Sequence, residues 1–278
     1  MDSVSAQTAL RQLGFQNADE IDLADAALWL AKWAEPGLNI EAYRRHLTAL
    51  VHDVQAYVAQ DQHDDVLVLE AVQQILARRY GYGGTSDPAH HSDGANLART
   101  IDQRRGGSLV LAILYGHLLS ALGRRVQILD FLPRTLVAVQ SAGGRVLVDP
   151  FDGGSTLDAR DLRDLLKDHQ GAQGELTPND LPELDSRQVL LRLQRTLMSE
   201  HLRYGRPEAA VLAVEGALLV APNEARLWRE LGLIHARMDH FVDAINALER
   251  FLDLPGNDAH RYSASQMVQN LRHLVKND

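Results

Sequence analysis

The chain contains no cysteine, which excludes disulfides, thiolate metal sites and a thiol nucleophile. That absence fits a reducing compartment, and a cytoplasmic protein is the expectation. An excess of basic residues is also missing, since the formal charge is −9. Phosphate contacts need clustered Lys and Arg, so no nucleic-acid partner and no anionic membrane surface are expected. No apolar run approaches the roughly 18–20 residues of a membrane span. No basic segment followed by an apolar one opens the chain, so no signal peptide is expected. What is present is ordinary for a globular protein. Hydrophobic residues make up 45% and charged residues 23% of 278 positions, enough for one large domain or two modest ones.

Helical spacing dominates the first 80 residues. Ala26-Ala27-Leu28-Trp29-Leu30-Ala31-Lys32-Trp33 is an apolar helical window closed by Glu35-Pro36-Gly37. A second helix is predicted over about 40–59, with Tyr43, Leu47, Leu50, Val54 and Val58 on one stripe. A third is predicted over about 65–80, stopped by Gly81-Tyr82-Gly83-Gly84. Residues 81–100 read as a polar loop containing His90 and His91. From Ser108 to Leu122 runs the most apolar helix, which should be buried on most of its faces. Extended runs at 125–132, 136–140 and 145–149 predict a small antiparallel sheet packed on it. A short helix over 159–168 and a Pro-containing linker follow.

The C-terminal part repeats itself. A shift of 34 residues aligns 191–224 with 225–258, placing Leu197 on Leu231, His201 on His235 and Ala210 on Ala244. Paired helices at that period are the signature of tetratricopeptide repeats. Trp228, Leu231-Gly232, Phe241 and Ala244 stand at the motif's spacing in the second copy. The first copy lacks the Trp and the Gly. A last helix over about 258–275 would cap the stack. Two repeats fall short of the three or so that stand alone. Their surface is the expected contact site for a protein or peptide partner, with Trp228 and His235 as candidate binding residues.

Two segments carry chemistry. Gln103-Arg104-Arg105-Gly106-Gly107-Ser108 leads into Leu109-Val110-Leu111-Ala112-Ile113-Leu114-Tyr115, and Val148-Asp149-Pro150-Phe151-Asp152-Gly153-Gly154 follows later. The pair resembles the core of a transglutaminase-like, papain-type fold, with its nucleophile at a helix start and an Asp on a later strand. With Tyr80-Gly81-Tyr82-Gly83-Gly84, Asn96-Leu97, Ile101-Asp102, Leu122-Gly123 and the repeats, the chain from about Leu23 to Leu274 resembles the bacterial SirB family. That resemblance implies an α+β, mostly helical fold. It would comprise a transglutaminase-like domain with a helical N-terminal part over 1–186, a linker at about 169–186, and a repeat region over 187–278.

The resemblance also assigns a degenerate triad. Ser108 stands at the nucleophile position. In the family a Pro-Gly-His segment supplies the base, and here Leu132-Pro133-Arg134-Thr135-Leu136-Val137 puts Thr135 there. Thr has no proton-accepting nitrogen and cannot act as a general base near neutral pH. Asp149 alone remains, and an Asp orients a base without replacing one; its structural role would be to tie down the Pro-Phe turn. Ser108 after Gly-Gly reads as an N-cap. His117 lies roughly 13 Å along the helix from Ser108, too far for a hydrogen bond. His90 or His91 folding back is the route to an alternative: a hydrolase or acyltransferase using Ser108. Arg104, Arg105 and Arg134 offer a carboxylate or phosphate site beside a helix N-terminus, or simply pair with the acidic stretch after Asp149. The leading expectation is a pseudoenzyme acting by protein–protein interaction or regulation, with no cofactor and no metal.

Overall fold

The computed structural model describes residues 2–58, 65–85, 93–141, 143–171, 173, 175–256 and 259–277. Helix α1 (Asp2–Phe15) is followed by α2 (Leu23–Ala34) and α3 (Ile40–Val58). Helix α4 (Asp65–Gln73) passes into a π-helical turn at Gln74–Arg79. Periodicity alone predicts one regular helix there. The wider turn is set by Tyr80 N–H, which reaches past the usual acceptor to Ile75 O at 2.9 Å. Strands β1 (Gly83–Gly84) and β2 (Arg105–Gly106) pair in parallel. Between them, in a stretch that composition reads as loop, lies α5 (Leu97–Gln103), capped by the Asn96 side chain accepting Arg99 N–H.

Helix α6 (Ser108–Ala121) is apolar all round, and its residues from Leu109 through Gly116 are buried, as are Leu118 and Leu119. The sheet follows as β3 (Val126–Asp130), β4 (Thr135–Ser141), β5 (Gly144–Asp149) and β6 (Ser155–Leu157). After α7 (Ala159–Gln170), β7 (Glu183–Leu184) completes the order β6-β5-β4-β3-β7, antiparallel at every pairing. The two outer strands span three and two residues, too short to leave an alternation signal. Five consecutive β4 residues are buried because both faces of the sheet are covered. Leu136 and Ala138 pack with Leu162 and Leu166 of α7. Val137 and Val139 therefore point the other way, onto the face where α6 lies.

The remaining helices are α8 (Ser186–Arg203), α9 (Pro207–Val220), α10 (Ala225–Arg237), α11 (Phe241–Asp253) and α12 (Arg261–Asn277). The chain divides into two compact units, one of residues 17–32 and 37–193, the other of 1–16, 33–36 and 194–278.

In the second unit the repeat logic is visible atom by atom. Ala210 and Ala244 are fully buried. A methyl group at Gly232 would sit 2.6 Å from Leu248 Cγ and 3.2 Å from Ala244 O. The α10–α11 contact is thus close enough to require a residue without a side chain. Helix α1 packs on α9, and Trp33 Nε1 donates to Leu212 O at 2.9 Å. The two repeats gain an outer helix from the start of the chain, which covers apolar surface that a terminal repeat would otherwise expose. Among the described residues no helix is long and apolar enough to cross a membrane.

Candidate functional site

The start of α6 meets the start of β4. Gly107, not Ser108, occupies the cap position, and its N–H donates to Gly94 O at 2.8 Å. This corrects the N-cap expectation for Ser108. As the first residue of α6 its hydroxyl is free to turn away from the helix, and Ser108 Oγ accepts the Thr135 backbone N–H at 3.0 Å. The bond fastens helix to strand. Thr135 and Asp149 are both buried. The structure therefore brings Ser108 and Thr135, the residues that the resemblance assigns to the nucleophile and histidine positions, into direct contact, but through a backbone amide that only donates.

Asp149 is held from two sides. Its Oδ2 takes Arg134 Nη1 at 2.5 Å, and its Oδ1 accepts Phe151 N–H at 2.9 Å. The Arg134 guanidinium also lies 4.7 Å over the Phe151 ring. The turn-fixing role of Asp149 is present in these bonds, and Gly154 N–H adds another to Asp149 O at 2.8 Å. Nearby, the Tyr115 hydroxyl is buried without a partner. Burial, with the Asp149 charge adding to it, pushes that phenol well above its ordinary range, so it stays protonated.

Arg104 turns elsewhere. It adopts a left-handed backbone (φ 59) at the end of α5. Its Nη1 donates to His46 Nε2 at 2.8 Å and to the Tyr82 hydroxyl. The guanidinium lies 4.8 Å over the Tyr82 ring and 5.7 Å over Tyr80. Tyr80 in turn donates to Asp53 Oδ2 at 2.7 Å. Because guanidinium only donates, His46 Nε2 must accept and carries no proton. Burial, assisted by the Arg104 charge, lowers the His46 pKa, and burial pushes the Tyr82 phenol up to about 12. Arg105 lies on β2, its Nη1 against Gly83. Arg104 and Arg134 are thus committed to different partners, and Arg134 pairs with Asp149 itself rather than with the acidic stretch beyond it. The His46–Tyr82–Arg104 cluster has no local sequence motif, because its members come from three separate segments.

A pH dependence follows from these contacts. A histidine whose folded pKa lies below its unfolded value near 6.5 stabilises the fold above that value. The contribution is lost as pH falls from there through the folded value. His117 acts in the same direction, burial lowering its pKa against the opposing charges of Asp22 and Asp25. Urea midpoints should therefore fall between pH 7.5 and pH 5.5. They should fall less in His46→Gln, whose amide oxygen still accepts from Arg104 without titrating; equal slopes would remove His46 from the account.

His117 faces a cavity of ≈ 620 Å³ with Asp22 and Asp185 in its wall. Both carboxylates cap helices, accepting the N–H groups of Ala24 and Gln188 respectively. His90 and His91 lie outside the described residues. In the other unit Trp228 lines a cleft of ≈ 490 Å³ with Phe15, Trp33, Leu218, Leu219 and Leu231. The Trp228 indole N–H donates to Pro222 O at 2.8 Å. The Phe15 ring is 88% exposed at its rim. Phe15 and Trp33 are far from the repeats in sequence, and neither carries a signal pointing there.

Two known families match parts of the chain. The profile of the transglutaminase-like superfamily matches residues 41–195, and that of a tetratricopeptide repeat matches 185–269. A UPF0162 protein of Xylella fastidiosa is 26% identical over 271 residues, covering 92% of this chain and 90% of its own. The UPF0162 protein YchA of Escherichia coli K12 is 24% identical over 221 residues, covering 78% and 82%. Among solved structures, a crystal structure of menin aligns with 14% identity and a TM-score of 0.41, over 100% of this chain and 75% of that one. With more than half of its residues matched, and the helix–sheet core in place, the chain belongs to the transglutaminase-like superfamily and carries tetratricopeptide repeats after that domain.

Proposed function

We propose that this protein is a catalytically degenerate member of the superfamily, of the SirB type, that works in the cytoplasm by binding another protein. One observation carries the reading: Ser108 Oγ meets the Thr135 amide where a base would stand. A serine nucleophile needs a group that takes its proton. Among the described residues Ser108 has no such acceptor, and Asp149 is bound to Arg134 and Phe151. An alcohol at a helix start keeps the helix dipole, worth only about 0.3–1 kcal/mol, which does not replace a base.

The binding half of the reading rests on the apolar cleft around Trp228. Two tryptophans, an exposed phenylalanine and leucines in one concave surface suit an apolar side chain of a peptide. The partner's anchor would be a hydrophobic or aromatic residue, with the cleft's Arg11 and Glu215 at hand for its polar groups.

The test has two arms. Ester, amide and acyl-transfer assays should give background rates for the intact chain and the same rates for Ser108→Ala. Turnover that disappears in Ser108→Ala would establish the alternative, an enzyme with a recruited histidine. Affinity capture from bacterial extract should retain a partner on the intact chain and lose it on Trp228→Ala. Identical retention by both would remove the cleft from the proposal.

A further inference from the structure

The turn between α10 and α11 brings three metal-ligating side chains together, and neither the repeat fold nor the degenerate triad needs them. His235 stands in the last turn of α10, His240 immediately before α11, and Asp243 in the first turn of α11. One potential ligand atom from each lies within 4.8 Å of the other two. The two imidazole centroids are 5.8 Å apart. His235 Nδ1 is buried without a hydrogen-bond partner. His240 makes no side-chain capping bond, although it holds the cap position.

The internal repeat supplies a control. In the first copy Arg206 N–H donates to His201 O at 2.8 Å, and in the second His240 N–H donates to His235 O at 3.0 Å. Gly205 and Asp239 take the same left-handed backbone at the matching position (φ 67 and φ 59). The two turns therefore share a backbone. Yet the residues corresponding to His240 and Asp243 in the first copy are Arg206 and Ala209. The fold of the turn accepts arginine and alanine there, so geometry alone does not call for a histidine and an aspartate.

We propose that His235, His240 and Asp243 form a binding site for a divalent transition-metal ion of the zinc class. Two imidazoles and one carboxylate are borderline ligands that suit zinc or nickel, whereas magnesium and calcium take all-oxygen sets. Zinc bonds of about 2.0–2.1 Å put tetrahedral ligand atoms roughly 3.3 Å apart. Closing from the observed separation needs movements on the order of 1 Å, and His240 and Asp243 are exposed and free to make them. Water would fill the fourth position. The ion would clamp the end of α10 to the start of α11, holding the second repeat in register.

The experiment uses the full chain, stripped with chelator and titrated calorimetrically with zinc chloride alone. Saturable uptake of one ion per chain is the expected result, with none for magnesium chloride. The variant carrying His240→Ala and Asp243→Asn should lose about 100-fold or more in affinity, since even outer-shell changes cost 10–100-fold. Both substituted side chains are exposed, so the metal-free melting curve should be unchanged, while zinc should raise the midpoint of the parent chain only. No stoichiometric uptake by the parent chain overturns the proposal. So does unchanged affinity in the double variant, which would put the ion on other histidines.

Discussion

Replacing Gly154 by alanine should lower the stability of the transglutaminase-like unit by roughly 2–5 kcal/mol. Two costs add. Gly154 has φ +86, a left-handed backbone that costs an L-residue about 1–2 kcal/mol. The new methyl carbon would also lie 2.7 Å from Tyr115 Cε1 and 2.9 Å from its hydroxyl oxygen. Tyr115 is buried in α6 and cannot swing clear, so the clash adds about 1–3 kcal/mol of overpacking. Gly153→Ala is the internal comparison. It has φ +62, and its nearest neighbour would be Ala77 Cβ at 3.3 Å, so the backbone cost stands nearly alone. Urea denaturation should rank Gly154→Ala well below Gly153→Ala. A reversed or equal ranking would show that α6 yields to the Asp-Pro-Phe turn, and that the turn is not wedged against Tyr115. Neither glycine offers a chemical group, so a loss here means that the motif persists for packing.

The repeat unit should be most sensitive at Phe251, where truncation to alanine is expected to cost roughly 3–5 kcal/mol. The ring is fully buried among Ala244, Leu248, Ala264, Val268 and Leu271. Arg261 lies over it, 5.9 Å from the ring centroid. Removing it opens a cavity between α11 and α12, where alanine neighbours have little side chain with which to refill it. Phe15→Ala provides the contrast, because that ring is 88% exposed and should change stability by no more than about 0.5 kcal/mol. Thermal melts of the two variants read the difference directly. A small effect at Phe251 would mean that α12 can collapse onto α11 without loss.

Much of the architecture was legible along the chain. The 34-residue period located four helices, and buried Ala210 and Ala244 sit where the alignment put small residues. Gly232 has the same physical cause, close helix approach, but only in the second copy, since Met198 stands at the matching position of the first. The three central strands and the buried α6 also follow from runs of contiguous residues. Strands β6 and β7 did not, being too short for any periodicity. Nor did α5, which is held by its Asn96 cap within a polar stretch.

At the site, residue types were readable and partners were not. The chain by itself determined that no thiol exists, a fact of composition; the placing of Thr135 at a histidine position is what the family resemblance implies. Only tertiary structure decided that Ser108 gives up the cap to Gly107 and binds the Thr135 amide. It also decided that Arg134 closes on Asp149, that Arg104 turns to His46, and that α1 packs on α9. Periodicity records forces between residues one or two turns apart on a single element, and these the chain carries in its order. A hydrogen bond between the start of α6 and the start of β4 depends on how two separately formed elements pack, and no local pattern encodes that distance.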